Sequence, residues 1–254
     1  IHNADLDIQH QFGLGTRHEA VWGLGYRFTT DTFDGTYTMS FTPDSRRVHL
    51  FSGFFQDQIW LSPNQVRLSL GSKLEHNSYT GFEYQPNVRL WWSPTPKHAF
   101  WIALARAVRT PSRGERDIRA IRLAFPPDSL FTGSPVALAR LEGSSDFRSE
   151  TMGSLDAGYR MGLGNRFALD VAGFYHRYRN IRTNEPDIQA FEIVPNPPHL
   201  IVPVHVANKA RGNTFGLEAA ADWQGSSCLR MRASYSYFQM DLKISEDSFD
   251  TVTE

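Results

Sequence analysis

The stretch Pro86–Glu115, PNVRLWWSPTPKHAFWIALARAVRTPSRGE, decides the fold. Val88, Leu90 and Trp92 alternate with Asn87 and Arg89, and beyond Pro94, Thr95, Pro96 and Lys97 the apolar Phe100, Ile102 and Leu104 alternate with small residues at Ala103 and Ala105. A period of two belongs to a strand with one apolar face. The stretch therefore reads as a strand (Asn87 to Trp92), a tight turn, and a returning strand (Ala99 to Val108) ending in the polar corner Arg109-Thr110-Pro111-Ser112. Trp91, Trp92, Phe100 and Trp101 gather with Lys97 and His98 at the turn end. Indoles beside a basic residue are the composition of the aromatic belt where a membrane barrel meets water.

Working outward, composition constrains the rest. The chain has 254 residues, 41% hydrophobic and 21% charged, which is ordinary for a globular domain. Strands that alternate lipid-facing and lumen-facing residues hide a barrel's average hydropathy in that same range. The longest apolar run, Ala99 to Ala105, falls far short of the ~18 residues a membrane helix needs, so helical spanning is excluded. With 26 Lys+Arg against 27 Asp+Glu there is no basic field for nucleic acid. Cys228, the single cysteine, sits in an expected turn and has neither a disulfide partner nor companions for a metal site. The first residues carry no secretory leader pattern, and the biological start is expected elsewhere.

About ten strand-like segments follow in order. Asn3 to Phe12 leads through a Gly-rich turn into Glu19 to Thr29, where Trp22, Leu24, Tyr26 and Phe28 share a face. His49 to Trp60 turns at Ser62-Pro63-Asn64 into Gln65 to Glu75, and a short link near Tyr79 to Phe82 leads to the opening hairpin. Arg148 to Leu163 turns at Gly164-Asn165 into Arg166 to Arg182, and Arg211 to Trp223 turns at Gly225-Ser226-Ser227 into Leu229 to Leu242. Long connections fill about 30–47, a polar loop, 110–147, an irregular stretch rich in Pro, Arg and Ser, and 183–207, a second Pro-rich loop. Short turns alternating with long loops, with only the link near Tyr79 out of step, match a barrel with short periplasmic turns and long extracellular loops. The expected architecture is all-β: part of an antiparallel up-and-down transmembrane β-barrel. Trp22, Leu24, Tyr26, Phe167, Leu169, Val171, Leu217 and Ala219 should face lipid, and Asp156, Arg160, Arg230 and Arg232 the lumen.

The ordered motifs resemble the barrel of TonB-dependent outer-membrane receptors over nearly the whole chain. Trp92-Ser93-Pro94 with Ala107-Val108-Arg109-Thr110-Pro111-Ser112 is similar to a hairpin of that family. Phe54-Phe55-Gln56-Asp57, the run Asp146 to Thr151 followed by Leu155-x-x-Gly158-Tyr159-Arg160, the aromatic end Phe174 to Ile181, Asn208 to Glu218 with Gly216 and Glu218, and Tyr235-Ser236-Tyr237 match further strands in the family's order. The resemblance implies that residues 1–254 are ten strands of a ~22-stranded plugged barrel. A plug domain that contacts TonB should precede them, and further strands with a terminal aromatic should follow Asp250-Thr251-Val252-Thr253-Glu254. It also implies a receptor in the outer membrane of a Gram-negative bacterium, importing a ferric siderophore or a cobalamin-like ligand with TonB-supplied energy. The Phe-Arg-Ala-Pro and Asn-Pro-Asn-Leu motifs of haem receptors are not matched here: Val108-Arg109-Thr110-Pro111 stands at the first, and no histidine lies between Arg109 and Glu150. The rival reading is a passive porin or a small barrel adhesin.

Recognition residues concentrate on long loops of a rigid scaffold. The candidates are Arg109, Arg113, Arg116, Arg119 and Arg122 in the first long loop and Phe191, His199 and His205 in the second. Guanidinium forks suit the carboxylate and catecholate oxygens of an anionic ferric chelate, while the same arginines could instead meet lipopolysaccharide phosphates or water. No enzyme activity and no cofactor are expected, since the adjacent acidic pair Glu246-Asp247 has no neighbouring histidine. No metal site is expected either: His2 and His10 lie about 27 Å apart along one strand at ~3.4 Å per residue.

Overall fold

The computed structural model of the chain describes all residues except 165, 189 and 251–254, so Asn165 of the Gly164-Asn165 turn and the last four residues lie outside it. In chain order the elements are β1 (His2–Leu14), β2 (His18–Thr32), β3 (Met39–Phe41), β4 (Ser45–Ser62), β5 (Val66–Asn77), β6 (Gly81–Thr95) and β7 (His98–Arg109), then α1 (Arg113–Asp117). They continue with β8 (Ile118–Phe125), β9 (Ala137–Glu142), β10 (Glu150–Leu163), β11 (Phe167–Pro186), β12 (Ala190–Glu192), β13 (His199–Gln224) and β14 (Arg230–Ile244). Ten long strands pair antiparallel in the order β1-β2-β4-β5-β6-β7-β10-β11-β13-β14 and form one wall. These are the ten strands expected from periodicity. Among the described residues β1 pairs only with β2 and β14 only with β13, so the wall is open at both edges.

Links of a few residues at 15–17, 63–65, 96–97, 164–166 and 225–229 lie at one end of the wall, and those at 33–44, 78–80, 110–149 and 187–198 at the other. The short link at 78–80 is a side-chain-closed turn, in which Asn77 Oδ1 accepts from the backbone N–H of Tyr79 and Thr80, both at 2.9 Å.

Cross-strand partners point to the same side of a sheet, so the register assigns the faces. Trp22, Leu24 and Tyr26 share one side with Phe51, Gly53 and Phe55. Following the pairs across the wall puts Leu70, Val88, Leu104, Leu155, Tyr175, Phe215, Leu169, Val171, Leu217 and Ala219 on that side. Asp156, Arg160, Arg230 and Arg232 lie on the other, as expected. Leu24, Phe55, Leu104, Leu155, Leu217 and Tyr235 are exposed on this apolar face, which is the surface that lipid covers. Two aromatic bands border it. Phe100 packs on Trp92 and Tyr159 at 5.3 and 4.7 Å toward the short-turn end, and Tyr26 on Phe51 at 4.8 Å toward the long-loop end.

One expectation needs correction. Neighbouring residues in a strand alternate faces, so the doublets Trp91-Trp92 and Phe100-Trp101 are split: Trp92 and Phe100 pair on the outside, Trp91 and Trp101 on the inside. The inner indoles carry arginines, with Arg67 5.6 Å from the Trp91 ring and Arg89 4.8 Å from Trp101. Trp101 also lies over Gly158 of the adjacent strand, where an added Cβ would come within 2.5 Å of its ring, so this glycine is what lets the indole lie flat on the sheet.

The segments read as an irregular stretch and as a Pro-rich loop are largely structured. Residues 110–147 hold α1, β8 and β9, and 183–207 is entered by β11 as far as Pro186 and left by β13 from His199. β9 pairs parallel with β13, β8 antiparallel with β9, β3 with β8 and β12 with β13, giving a loop layer that extends the same sheet beyond β13 at the long-loop end. The largest fully buried side chains, Phe147, Ile201, Val206 and Thr183, all belong to this end of the molecule.

Candidate functional site: the loop layer

The layer is fastened to the wall at the Arg-Thr-Pro-Ser corner. Ser112 caps α1 by accepting from Glu115 N at 3.3 Å, and Glu115 accepts from Ser112 N at 2.8 Å, a reciprocal capping box. Arg109, at the inner face of the β7 end, grips Glu115 with two hydrogen bonds of 3.1 and 2.6 Å and gives its Nε to Glu150 at 2.8 Å. Burial opposes ionisation of Glu115, but the bonds from Arg109 and Ser112 together outweigh it and hold its carboxyl below the usual range. Hydrogen bonds from Glu150 and Glu115 in turn raise the Arg109 guanidinium above its ordinary value.

From α1 the layer reaches back to β2 and β4. Arg113 pairs with Asp31 and donates to the carbonyls of Pro43 and Asp44 at 2.6 and 2.8 Å. Arg46 meets Asp117 at 2.6 Å. Asp117 is 3% exposed at its side chain, and burial pushes its carboxyl up in spite of Arg46 and Arg113. Arg116 donates to the Phe147 carbonyl at 3.1 Å and lies over Tyr79.

A second network joins the loop at 33–44 to that at 187–198. The Tyr37 hydroxyl meets His199 Nε2 and stands 3.3 Å from Glu192. His199 Nδ1 lies 2.9 Å from the Pro197 carbonyl, which can only accept, so Nδ1 carries a hydrogen. Arg140 bridges Glu142 at 2.7 Å and Glu192 at 2.9 Å. His205 stands 3.9 Å from Glu142 and 3.4 Å from Asp187. Burial again opposes ionisation at Glu192, and Arg140 overcomes it, leaving its carboxyl below the usual range. Burial and Glu192 raise the Tyr37 phenol. The loop layer thereby ties β4 to β11 and β13, with β11 five strand spacings away from β4 along the wall, roughly 24 Å at ~4.8 Å each.

The predicted site residues therefore divide. Arg109, Arg113, Arg116 and His199 are tied into the layer itself. Arg119, Arg122 and Phe191 are exposed, and among the described residues neither arginine meets a carboxylate. His205 is 40% exposed at its side chain. Tyr37, Arg140, Glu142 and Glu192 carry the second network and had no signal in the sequence, because the contacts that unite them span up to 162 residues. Among the described residues no group of His, Cys, Asp and Glu is arranged to hold a metal ion.

Residues 1–253 match the family described as TonB dependent receptor-like, beta-barrel. The iron-regulated outer membrane virulence protein of Vibrio cholerae is 21% identical over 204 residues, covering 78% of this chain and 29% of that protein. The siderophore receptor PirA of Acinetobacter baumannii superposes with a TM-score of 0.73 at 10% identity, over 93% of this chain and 36% of that one. A variant of the Pseudomonas aeruginosa ferric enterobactin receptor PfeA, solved with enterobactin, gives 0.71 at 17% identity over 93% and 35%. The chain thus spans about a third of these proteins. The chain belongs to the TonB dependent receptor-like β-barrel family, and its place is the outer membrane of a Gram-negative bacterium.

Proposed function

We propose that this chain supplies ten wall strands and the roofing loops of a ~22-stranded receptor that captures a ferric siderophore at the cell surface and imports it with energy delivered by TonB through a plug domain. The open edges of the wall and the length of the relatives support the larger barrel. A cobalamin-like ligand is the second candidate, and the family match favours a receptor over the porin or adhesin reading.

The observation that carries the siderophore reading is the loop layer. It is cross-linked enough to hold a shape, and it presents Arg119 and Arg122 unpaired, with Phe191 exposed. Unpaired guanidinium groups on a preorganised surface suit an anionic chelate, since no internal partner must be displaced. Arg109, Arg113 and Arg116 support this surface from within.

The test uses the complete receptor on iron-starved cells, with ferric enterobactin and a ferric hydroxamate as probes. Arg119→Glu with Arg122→Glu should weaken binding of the preferred probe at least tenfold with normal surface display. Unchanged affinity removes these two residues from the site, and absence of binding by either probe overturns the ligand class. In cells lacking TonB, binding should persist and uptake should stop; continued uptake would overturn the energy coupling.

A further inference from the structure

The outer face of the wall changes character at one level. On β10, β11 and β13 five outer rows, from Leu163, Phe167 and Trp223 up to Leu155, Tyr175 and Phe215, are apolar. Eight residues of strand at ~3.4 Å, tilted by ~40°, rise about 21 Å, close to the ~25 Å apolar band of an outer-membrane barrel. The next two rows toward the long loops carry Arg177 on β11 with Asn213 on β13 and Asp241 on β14, then Arg179 on β11, Arg211 on β13 and Lys243 on β14. All four cations are exposed. Arg211 and Lys243 are direct cross-strand partners, an arrangement of like charges that destabilises a sheet unless an anion sits between them.

Inside the wall Arg27, Arg109, Arg160 and Arg230 each meet a carboxylate, and Arg67 and Arg89 lie over indole rings instead. On the outer strip Arg177, Arg179 and Arg211 meet none among the described residues, and Lys243 reaches only Asp241, at 3.8 Å. Beside the strip, Pro86 lacks the N–H to continue the ladder to β7, and the register between β6 and β7 stops at Asn87 and Ala105. Arg106 covers this seam by donating to the Tyr84 carbonyl and lying over its ring at 4.2 Å. Above it opens a polar cleft of ≈390 Å³ bordered by Arg106, Arg148 and Thr151, with Glu83 and Asp146 in its wall.

We propose that Arg177, Arg179, Arg211 and Lys243 form a docking strip for the phosphate groups of lipopolysaccharide in the outer leaflet. The level is that of the headgroups, the three arginines have no counter-ion among the described residues, Lys243 has Asp241 at 3.8 Å, and the net charge of the strip is positive and complementary to phosphate. Acyl chains would lie on Leu155, Tyr175 and Phe215 directly below.

The complete receptor in nanodiscs, loaded with bis-phosphorylated lipid A, its dephosphorylated form or phosphatidylglycerol, tests this by native mass spectrometry. The wild type should retain the phosphorylated glycolipid. The triple variant Arg177→Gln, Arg179→Gln, Arg211→Gln should retain roughly 100-fold less, at about fivefold per cation. Equal retention by the variant, equal retention of the dephosphorylated form, or equal competition by phosphatidylglycerol would each overturn the proposal. Heat-modifiable mobility verifies the fold; should the triple variant not fold, Arg211→Gln alone should lose about fivefold and Arg211→Lys should not, and any other pattern overturns the strip. Siderophore binding is read separately, so failure here leaves the receptor reading standing.

Discussion

The wall and the loop layer solve opposite problems with the same strands. In the wall, Leu24, Leu104, Leu155 and Leu217 are exposed on one continuous face, and stability waits on lipid. In the layer Ile201, Val206 and Phe147 are buried, Asp117 and Glu115 are buried with them, and cohesion comes from within. The wall is therefore a membrane structure, whereas the layer is a small soluble-type fold at its long-loop end. Its polar network offers a means of being specific, since it adds directional contacts to that apolar core beneath Arg119, Arg122 and Phe191.

The strongest way to break this contrast is a charge on each face of one strand. Leu217→Arg places a guanidinium on the lipid face, where it costs ~2–4 kcal/mol near the bilayer centre. Ala220→Arg, three residues on, faces the lumen between Asp170 and Ser234 and should cost far less. Urea unfolding of the receptor in lipid vesicles measures both. Equal destabilisation would show that the face assignment is wrong.

A change confined to the layer should leave the wall intact. Arg109→Met removes three hydrogen bonds and strands the buried Glu115, a loss of ~1–3 kcal/mol. Hydrogen exchange should show 110–149 losing protection while β10 and β11 keep theirs. Loss of protection across the wall would mean that the layer and wall unfold as one unit, and the division between them would fall.

The two regions were also unequally legible in sequence. A wall strand announces itself locally, as Leu155, Ala157 and Tyr159 alternate with Asp156, Gly158 and Arg160, because lipid on one side and a polar lumen on the other impose a period of two. Only the sidedness of doublets such as Trp91-Trp92 is hidden in composition, because adjacent residues of one strand point to opposite faces. In the layer no such solvent asymmetry exists. β9, ALARLE, becomes a strand because β13 offers it a parallel edge sixty residues away in sequence, and non-local pairing leaves little local trace. The arginine run was visible for its chemistry, but which of its members are free was decided by Asp31, Glu115 and Glu150, residues not singled out as their partners in advance.

The finest division between the regions is in acid. Glu115, Glu192 and Glu185 all have carboxyls held below the usual range in the folded layer. At each, burial pulls upward and is outweighed by donors: Arg109 and Ser112 at Glu115, Arg140 at Glu192, and Ser248, Thr183 and Phe249 N at Glu185. A folded value below the unfolded one means that the unfolded layer binds more protons in the interval between them. The stabilisation is therefore complete above the ordinary glutamate value of about 4.3 and is lost as pH falls through the lowered folded values. Asp117 runs the other way: raised by burial, it stabilises most below its unfolded value, and that contribution fades as pH rises through the folded one. Three glutamates against one aspartate leave a net loosening on acidification. Hydrogen exchange of the complete receptor, corrected for intrinsic rates, should show protection in 110–149 and 187–198 falling between pH 5 and pH 3, by less than Arg109→Met produces. The mid-wall amides of β10 and β11, whose ladder depends on none of these groups, should not move. Protection that is flat over this interval in the layer would remove the carboxylates from its cohesion, and a parallel fall in the wall would assign the effect to the barrel instead.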